Sequence, residues 1–219
     1  MIGRAGALPL VTGIGGPAVV AGCALATALG YRGRAGEPYS PLSHWISELG
    51  EQDVSQRARI FNRGVVIGGM CLSTLMVSLA ATRRGRLARA YGPIGAVAGV
   101  AGSLVGLFPM NRIVPHAITS VSFFNLAALA IALASVDFAR RPDDRFGRVQ
   151  AGFGVASSAA VLAFGIVAFE AIRRQGLAAL EAPLVREEVS PLTTLEWASL
   201  LTIMAWILAT SARWTRASA

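Results

Sequence analysis

Serine, histidine and glutamate, the residue types of proton transfer and acyl chemistry, fall together at His44, Ser47 and Glu48. A histidine can take a proton from a serine hydroxyl, and a carboxylate can orient that histidine. With His116, the only other histidine, they contain the parts of a hydrolase relay. The G-x-S-x-G turn that would expose a serine nucleophile is absent. His44, Glu48 and His116 also satisfy the arithmetic of a two-histidine, one-carboxylate metal site, whereas a three-histidine zinc site is excluded. No phosphate-cradling or dinucleotide-binding glycine motif occurs. The residue pattern therefore assigns no catalytic residue, no metal and no cofactor.

The elements that must position these residues are long apolar stretches. The chain of 219 residues is 54% hydrophobic and 15% charged, where a soluble domain is nearer about 25% charged. Candidate spans run over Ala7–Leu29, Ile60–Ala81, Tyr91–Phe108, Ala117–Val136, Val149–Ala171 and Leu195–Ser211. Each has the roughly 17–25 residues that cross a hydrocarbon core as a helix. Their continuous apolarity excludes barrel strands, which alternate. The expected fold is all-α, a single six-helix transmembrane domain over residues 1–219. The first span follows Arg4 and ends near Ala24, Ala26 and Ala28, features shared with a cleaved leader. It is longer than the usual h-region of about 7–15 residues, which favours a retained span.

Every basic side chain other than histidine is arginine; there is no lysine. Arg83, Arg84, Arg86 and Arg89 crowd the second loop, and Arg140, Arg141, Arg145 and Arg148 the fourth. Arg4 precedes the first span, and Arg213 and Arg216 follow the last. The positive-inside rule then places these loops and both termini in the cytoplasm of a multi-pass cell-membrane protein. The formal charge of +8 is read as topology plus contact with anionic lipid, not as nucleic-acid binding. Membrane lipids are the expected partners. Gly95, Gly99, Gly102 and Gly106 on the third span, and Gly64 and Gly68 on the second, recur at spacings that let helices approach closely. They serve packing within one chain or in a homo-oligomer. Cys23 and Cys71 read as small packing residues, and the Gly13–Pro17 run as a point where the first span can kink.

The longer loops, Gly30–Arg59 and Ile172–Thr194, are placed outside. In the first, Ser40 suits an N-cap, Pro41 the first helical position and Gly50 a left-handed C-cap. Leu42, Trp45, Ile46 and Leu49 follow helical spacing, so a short amphipathic helix is expected over Ser40–Gly50. Asp53 or Ser55 would cap the second span. The fifth loop, with Glu181, Glu187, Glu188, Pro183 and Pro191, reads as a solvated excursion.

Ionisable residues in or beside spans are functional candidates by default. The ligand-binding candidates are Ser47, Glu48, Asn62, Arg63, His116 and Glu170, with Glu196 opening the sixth span and Asn125 near the middle of the fourth. Arg63 either snorkels to headgroups, pairs with Glu48 or Glu170, or binds an anionic ligand. His116 is either a functional group or a helix-start hydrogen-bonder. The leading expectation is non-enzymatic binding or organisation of a lipid headgroup or small polar ligand at an outer polar cluster. There Arg63 supplies positive charge, and Glu48 and His116 supply hydrogen bonds. The alternatives are an outer-leaflet hydrolase using His44, Ser47, Glu48 and His116, or a small-solute transporter.

The stretch from Tyr39 to Gly50 (YSPLSHWISELG), followed by Phe61-Asn62-Arg63-Gly64, resembles the DUF998 family of uncharacterised membrane proteins. That family tends to carry Y-S-x-x-x-x-x-I-S-(D/E)-L-G, then F-N near the second span. Gly106-Leu107-Phe108-Pro109, then His116 and Phe123, resembles its G-x-F-P…H pattern. The resemblance covers roughly the first 130 residues and implies the six-span plan, without an activity. It points to Ser47, Glu48, Gly50, Asn62, Gly106, Pro109 and His116, but not to position 63. The outer-loop element is distantly similar to one in the Frag1/DRAM/Sfk1 group of six-span proteins, linked to lipid organisation and autophagy.

Overall fold

The structure, a computed structural model, describes residues 4–143, 146–181, 183 and 186–216. Arg145 therefore lies outside the described residues. Six α-helices form among the described residues: α1 (Arg4–Ala28), α2 (Ala58–Ala81), α3 (Arg86–Leu107), α4 (Ile113–Arg140), α5 (Arg148–Gln175) and α6 (Pro191–Arg216). No strand occurs among the described residues. All six helices are long and apolar enough to cross a membrane. Most run several residues past the apolar stretches, because hydropathy marks the hydrocarbon core while the backbone bonds of a helix continue into the polar interface. α1 is helical throughout, across both Pro9 and Pro17.

Successive helices are neighbours, with short connections from α2 to α3, α3 to α4 and α4 to α5, and α1 also packs on α6, so the chain closes into a ring. Between apolar helices in lipid, close packing rather than water exclusion supplies the attraction. Glycine makes that possible here. A Cβ on Gly69 would lie 2.4 Å from the Gly99 carbonyl oxygen, and one on Gly106 2.5 Å from that of Asn62. Gly64 and Gly16 meet Cys23 and Cys71, so both cysteines act as small packing residues between α1 and α2. The glycine stripe of α3 thus packs inside the chain. Gly69→Ala is expected to cost about 1–3 kcal/mol, because backbone must move to admit the methyl group. Gly15→Ala, with nothing within 4 Å of its Cβ position, should cost nothing measurable; unfolding titrations in detergent would separate the two.

The arginine-rich end holds a carboxylate. Asp137 is fully buried and pairs with Arg83 Nε at 2.8 Å and with Arg141. Arg83 also reaches Asp143 at 2.5 Å, and its guanidinium lies over the rings of Phe138 and Phe146, 5.4 and 5.9 Å from their centroids. Arg83 is therefore a tether joining the α2–α3 loop to α4, in addition to any role in topology.

Candidate functional site

At the opposite end, residues 30–57 fold back over the ring as a cap. The expected Ser40–Gly50 helix is replaced by a turn at 41–44 and a 3-10 helix over Ile46–Gly50. The Ser43 and His44 amides donate to the Ser40 carbonyl at 3.2 and 2.9 Å, closing the turn. Every residue of Ile46–Gly50 is buried. The segment is an insert in the bundle rather than an amphipathic helix on a surface, which is why its polar side chains find protein partners. Gly50 is not left-handed, its φ not being among the positive ones. It is small because Asn62 sits against it: a Cβ there would lie 2.1 Å from Asn62 Oδ1, and Asn62 Nδ2 donates to the Gly50 carbonyl at 2.9 Å. Neither Asp53 nor Ser55 caps α2, whose N-cap position is Arg57 without a side-chain cap bond.

Glu48 is the centre of the cap. It is 0% exposed. Its carboxylate accepts from the Trp45 amide at 2.9 Å and the Tyr31 hydroxyl at 3.1 Å. Arg186, from the α5–α6 connection, closes on it as a fork: Nη1 donates to Oε1 at 3.1 Å and Nη2 to Oε2 at 2.6 Å. Two parallel charge-assisted bonds are the strong geometry for this pair. Arg186 also donates to Glu37 Oε1 at 3.1 Å and to the Ser43 carbonyl at 3.0 Å. Burial pulls the Arg186 guanidinium down, but Glu48 outweighs this and holds it above its ordinary value. Burial pushes the Glu37 carboxyl up, yet backbone amides and Arg186 more than offset this and keep it below the usual carboxylate range. Burial and the adjacent Glu48 raise the Tyr31 phenol, so it stays a donor.

Tyr31, Tyr39, His44 and Trp197 back this ion pair with ring contacts of 5.1 to 6.2 Å between centroids. Trp197 Nε1 donates to the Tyr39 hydroxyl at 3.0 Å, which donates to the Trp45 carbonyl at 3.1 Å. His44 is buried, which holds its imidazole below its ordinary pKa. Its Nδ1 accepts from the Ser40 amide at 3.2 Å, which leaves Nε2 facing Glu37 at 3.6 Å. Asn111 exchanges two backbone bonds with Gln52, at 2.6 and 2.7 Å. The cap is thus tied to α2, to the α3–α4 connection and to α6.

Beneath the cap lie two cavities that share Ser47, Ser120, Phe124 and Glu196 as walls. One, of about 110 Å³, is central and apolar. The other, of about 470 Å³, runs between α4, α5 and α6. Its flank includes Val121, Leu162, Ile166 and Phe169, all more than half exposed, so it is a cleft on the side of the bundle. At its polar end are Ser47, His116, Ser120 and Glu196. His116 Nδ1 donates to the Phe108 carbonyl at 2.8 Å, which leaves Nε2 as the acceptor, 3.4 Å from the Ser120 hydroxyl. Glu196 Oε2 accepts from the Ile46 amide at 2.8 Å.

The structure gathers Ser47, Glu48, Asn62 and His116 at the capped end, with unequal roles. Glu48 and Asn62 are engaged in the cap, while Ser47 and His116 face the cleft. Arg63 is exposed on α2 and has no ion-pair partner among the described residues; neither Glu48 nor Glu170 pairs with it. Glu170 bonds Arg173 and Arg174 on its own helix. The hydrolase relay is not assembled, since Ser47 Oγ lies against Met110 Sδ at 3.6 Å rather than against a histidine. No three metal-binding side chains converge among the described residues. Sequence reasoning missed Tyr31, Glu37 and above all Arg186. The signal for Arg186 was its place as the only cation in the acidic run Glu181–Glu188.

Six apolar helices closed into a ring and capped at one end define a multi-pass membrane protein. A family model described as "Protein of unknown function (DUF998)" matches residues 14–213, and the chain belongs to that family. Comparison with curated proteins and with solved structures found no match.

Proposed function

We propose that this protein is a non-enzymatic binder of a membrane amphiphile. The tail would lie in the cleft between α4 and α5, and the polar head would meet Ser47, His116, Ser120 and Glu196. The observation that carries this reading is the cleft itself: about 470 Å³, within the usual range of ligand sites of about 300–1,000 Å³, apolar along a lipid-facing flank and polar at one end. Arg63, exposed about one turn into α2, suits a phosphate of the surrounding lipid. Glu48 and Asn62 brace the cap. By the positive-inside rule the capped end is the outer one, and both termini are cytoplasmic. A homo-oligomer would use small residues still open on the surface, such as Gly15 and Gly22 on α1.

Gly165 lines the cleft, and nothing lies within 4 Å of its Cβ position. Gly165→Trp would fill the cleft without displacing backbone; Gly152→Trp, also on an open face but away from the cleft, is the control. Mass spectrometry of lipids retained by gently purified protein should find one amphiphile enriched in the wild type and in Gly152→Trp, and lost from Gly165→Trp. Identical bulk lipid in all three would defeat the proposal.

A further inference from the structure

We infer that the head of this amphiphile is a primary amine, held as an ammonium by Glu196. This rests on the amphiphile reading and adds its chemical class. Four carboxylates are buried among the described residues: Glu48, Glu51, Asp137 and Glu196. Three of them carry an arginine, Glu48 with Arg186, Glu51 with Arg34, and Asp137 with Arg83 and Arg141. Glu196 carries none, although it is only 6% exposed. Its one protein hydrogen bond among the described residues is the Ile46 amide at Oε2. Buried charges are otherwise paired, and an unpaired carboxylate out of water is costly.

That carboxylate lines the cleft, and the polar groups around it carry acceptor lone pairs and no cationic side chain among the described residues. His116 commits its Nδ1 proton to Phe108, and its other nitrogen faces the Ser120 hydroxyl as an acceptor, so the ring offers the cleft no proton. The Ser47 and Ser120 hydroxyls have lone pairs available. No arginine lines the cleft among the described residues, and Arg34 and Arg186 are already engaged with Glu51 and with Glu37 and Glu48. An alkyl phosphate would therefore meet a like charge and an acceptor. An alcohol would bring no charge to hold the buried carboxyl ionised. An ammonium offers three donors, no acceptor and the opposite charge, and the carboxylate with the lone pairs of the Ser47 and Ser120 hydroxyls can receive all three.

The test is retention of dodecylamine, 1-dodecanol and dodecyl phosphate by the delipidated full-length protein, read by native mass spectrometry in one detergent. The wild type should hold one dodecylamine about tenfold or more tightly than 1-dodecanol and should not retain dodecyl phosphate. Glu196→Gln, which can keep the Ile46 hydrogen bond, should erase the preference for the amine over the alcohol. The headgroup comparison on the wild type alone decides the matter if that variant does not fold. Equal binding of amine and alcohol by the wild type, or tighter binding of the phosphate, overturns the amine while leaving the amphiphile cleft standing. An amine preference that survives in Glu196→Gln overturns the role of Glu196. No binding of any of the three by the wild type, with Gly165→Trp indistinguishable from it, overturns the cleft as well.

Discussion

Arg186→Ala is expected to destabilise the protein by about 3–5 kcal/mol, the cost of leaving a buried carboxylate without its cation. Glu48 is 0% exposed, Arg186 is 11% exposed at its side chain, and the two share a two-point contact. The truncation would also free Glu37 and the Ser43 carbonyl, so the cap loses its tie to the α5–α6 connection. The double variant Glu48→Gln/Arg186→Met is expected to be clearly more stable than Arg186→Ala. Glutamine can still receive the Trp45 amide at its oxygen and donate its amide to the Tyr31 oxygen, and Glu48 no longer leaves a buried charge. Chemical unfolding in mild detergent, with limited proteolysis of the first loop as a local readout, would measure both. A cost below about 1 kcal/mol for Arg186→Ala, the range of exposed pairs, would mean that water reaches Glu48 and that the cap is not a sealed latch.

Arg83→Ala should cost about 3 kcal/mol at the other end of the bundle by the same physics. Asp137 is fully buried, and Arg83 supplies one of its two cations while also reaching Asp143 and packing on Phe138 and Phe146. The retained Arg141 places this loss towards the lower end of the range. Arg84→Ala is the contrast, since that side chain is exposed. It should fall within about 0.5 kcal/mol of the wild type, although both substitutions remove the same charge from the same loop. Equal effects in the two variants would show that the loop acts through net charge alone and that the Asp137 pairing contributes nothing to stability.

The two clamps explain why some of the site was legible and some was not. Glu48 is marked in the sequence by its place in the outer-loop motif, and it is the centre of the cap. Its partner was sought at Arg63, near in sequence and at a plausible depth, but α2 turns Arg63 outward. The true partner lies 138 residues away. Hydropathy reports how deep a residue sits and not which way a helix is rotated. The Ser40–Gly50 periodicity identified residues that turn inward at Trp45, Ile46 and Leu49. The length was wrong because Glu48, which the pattern placed on a polar face, is drawn inside by Arg186, Tyr31 and the Trp45 amide. Asp137 went unread beside the arginines of its own end, since a single acid barely alters a loop's charge.

The sequence by itself determined the six spans, their order, the arginine-rich end, the close glycine contacts of α2 and α3, and the loop that carries the cap. These follow from transfer of side chains into hydrocarbon and from side-chain size, which are properties of each residue alone. Only the tertiary structure decided that Glu48 belongs to Arg186, that Ser47 and His116 face a cleft, and that Glu196 is the buried carboxylate without a cation among the described residues. A hydrogen bond or buried ion pair acts over about 3 Å and depends on direction. Its partners are chosen by helix rotation and loop closure, which one-dimensional spacing does not encode.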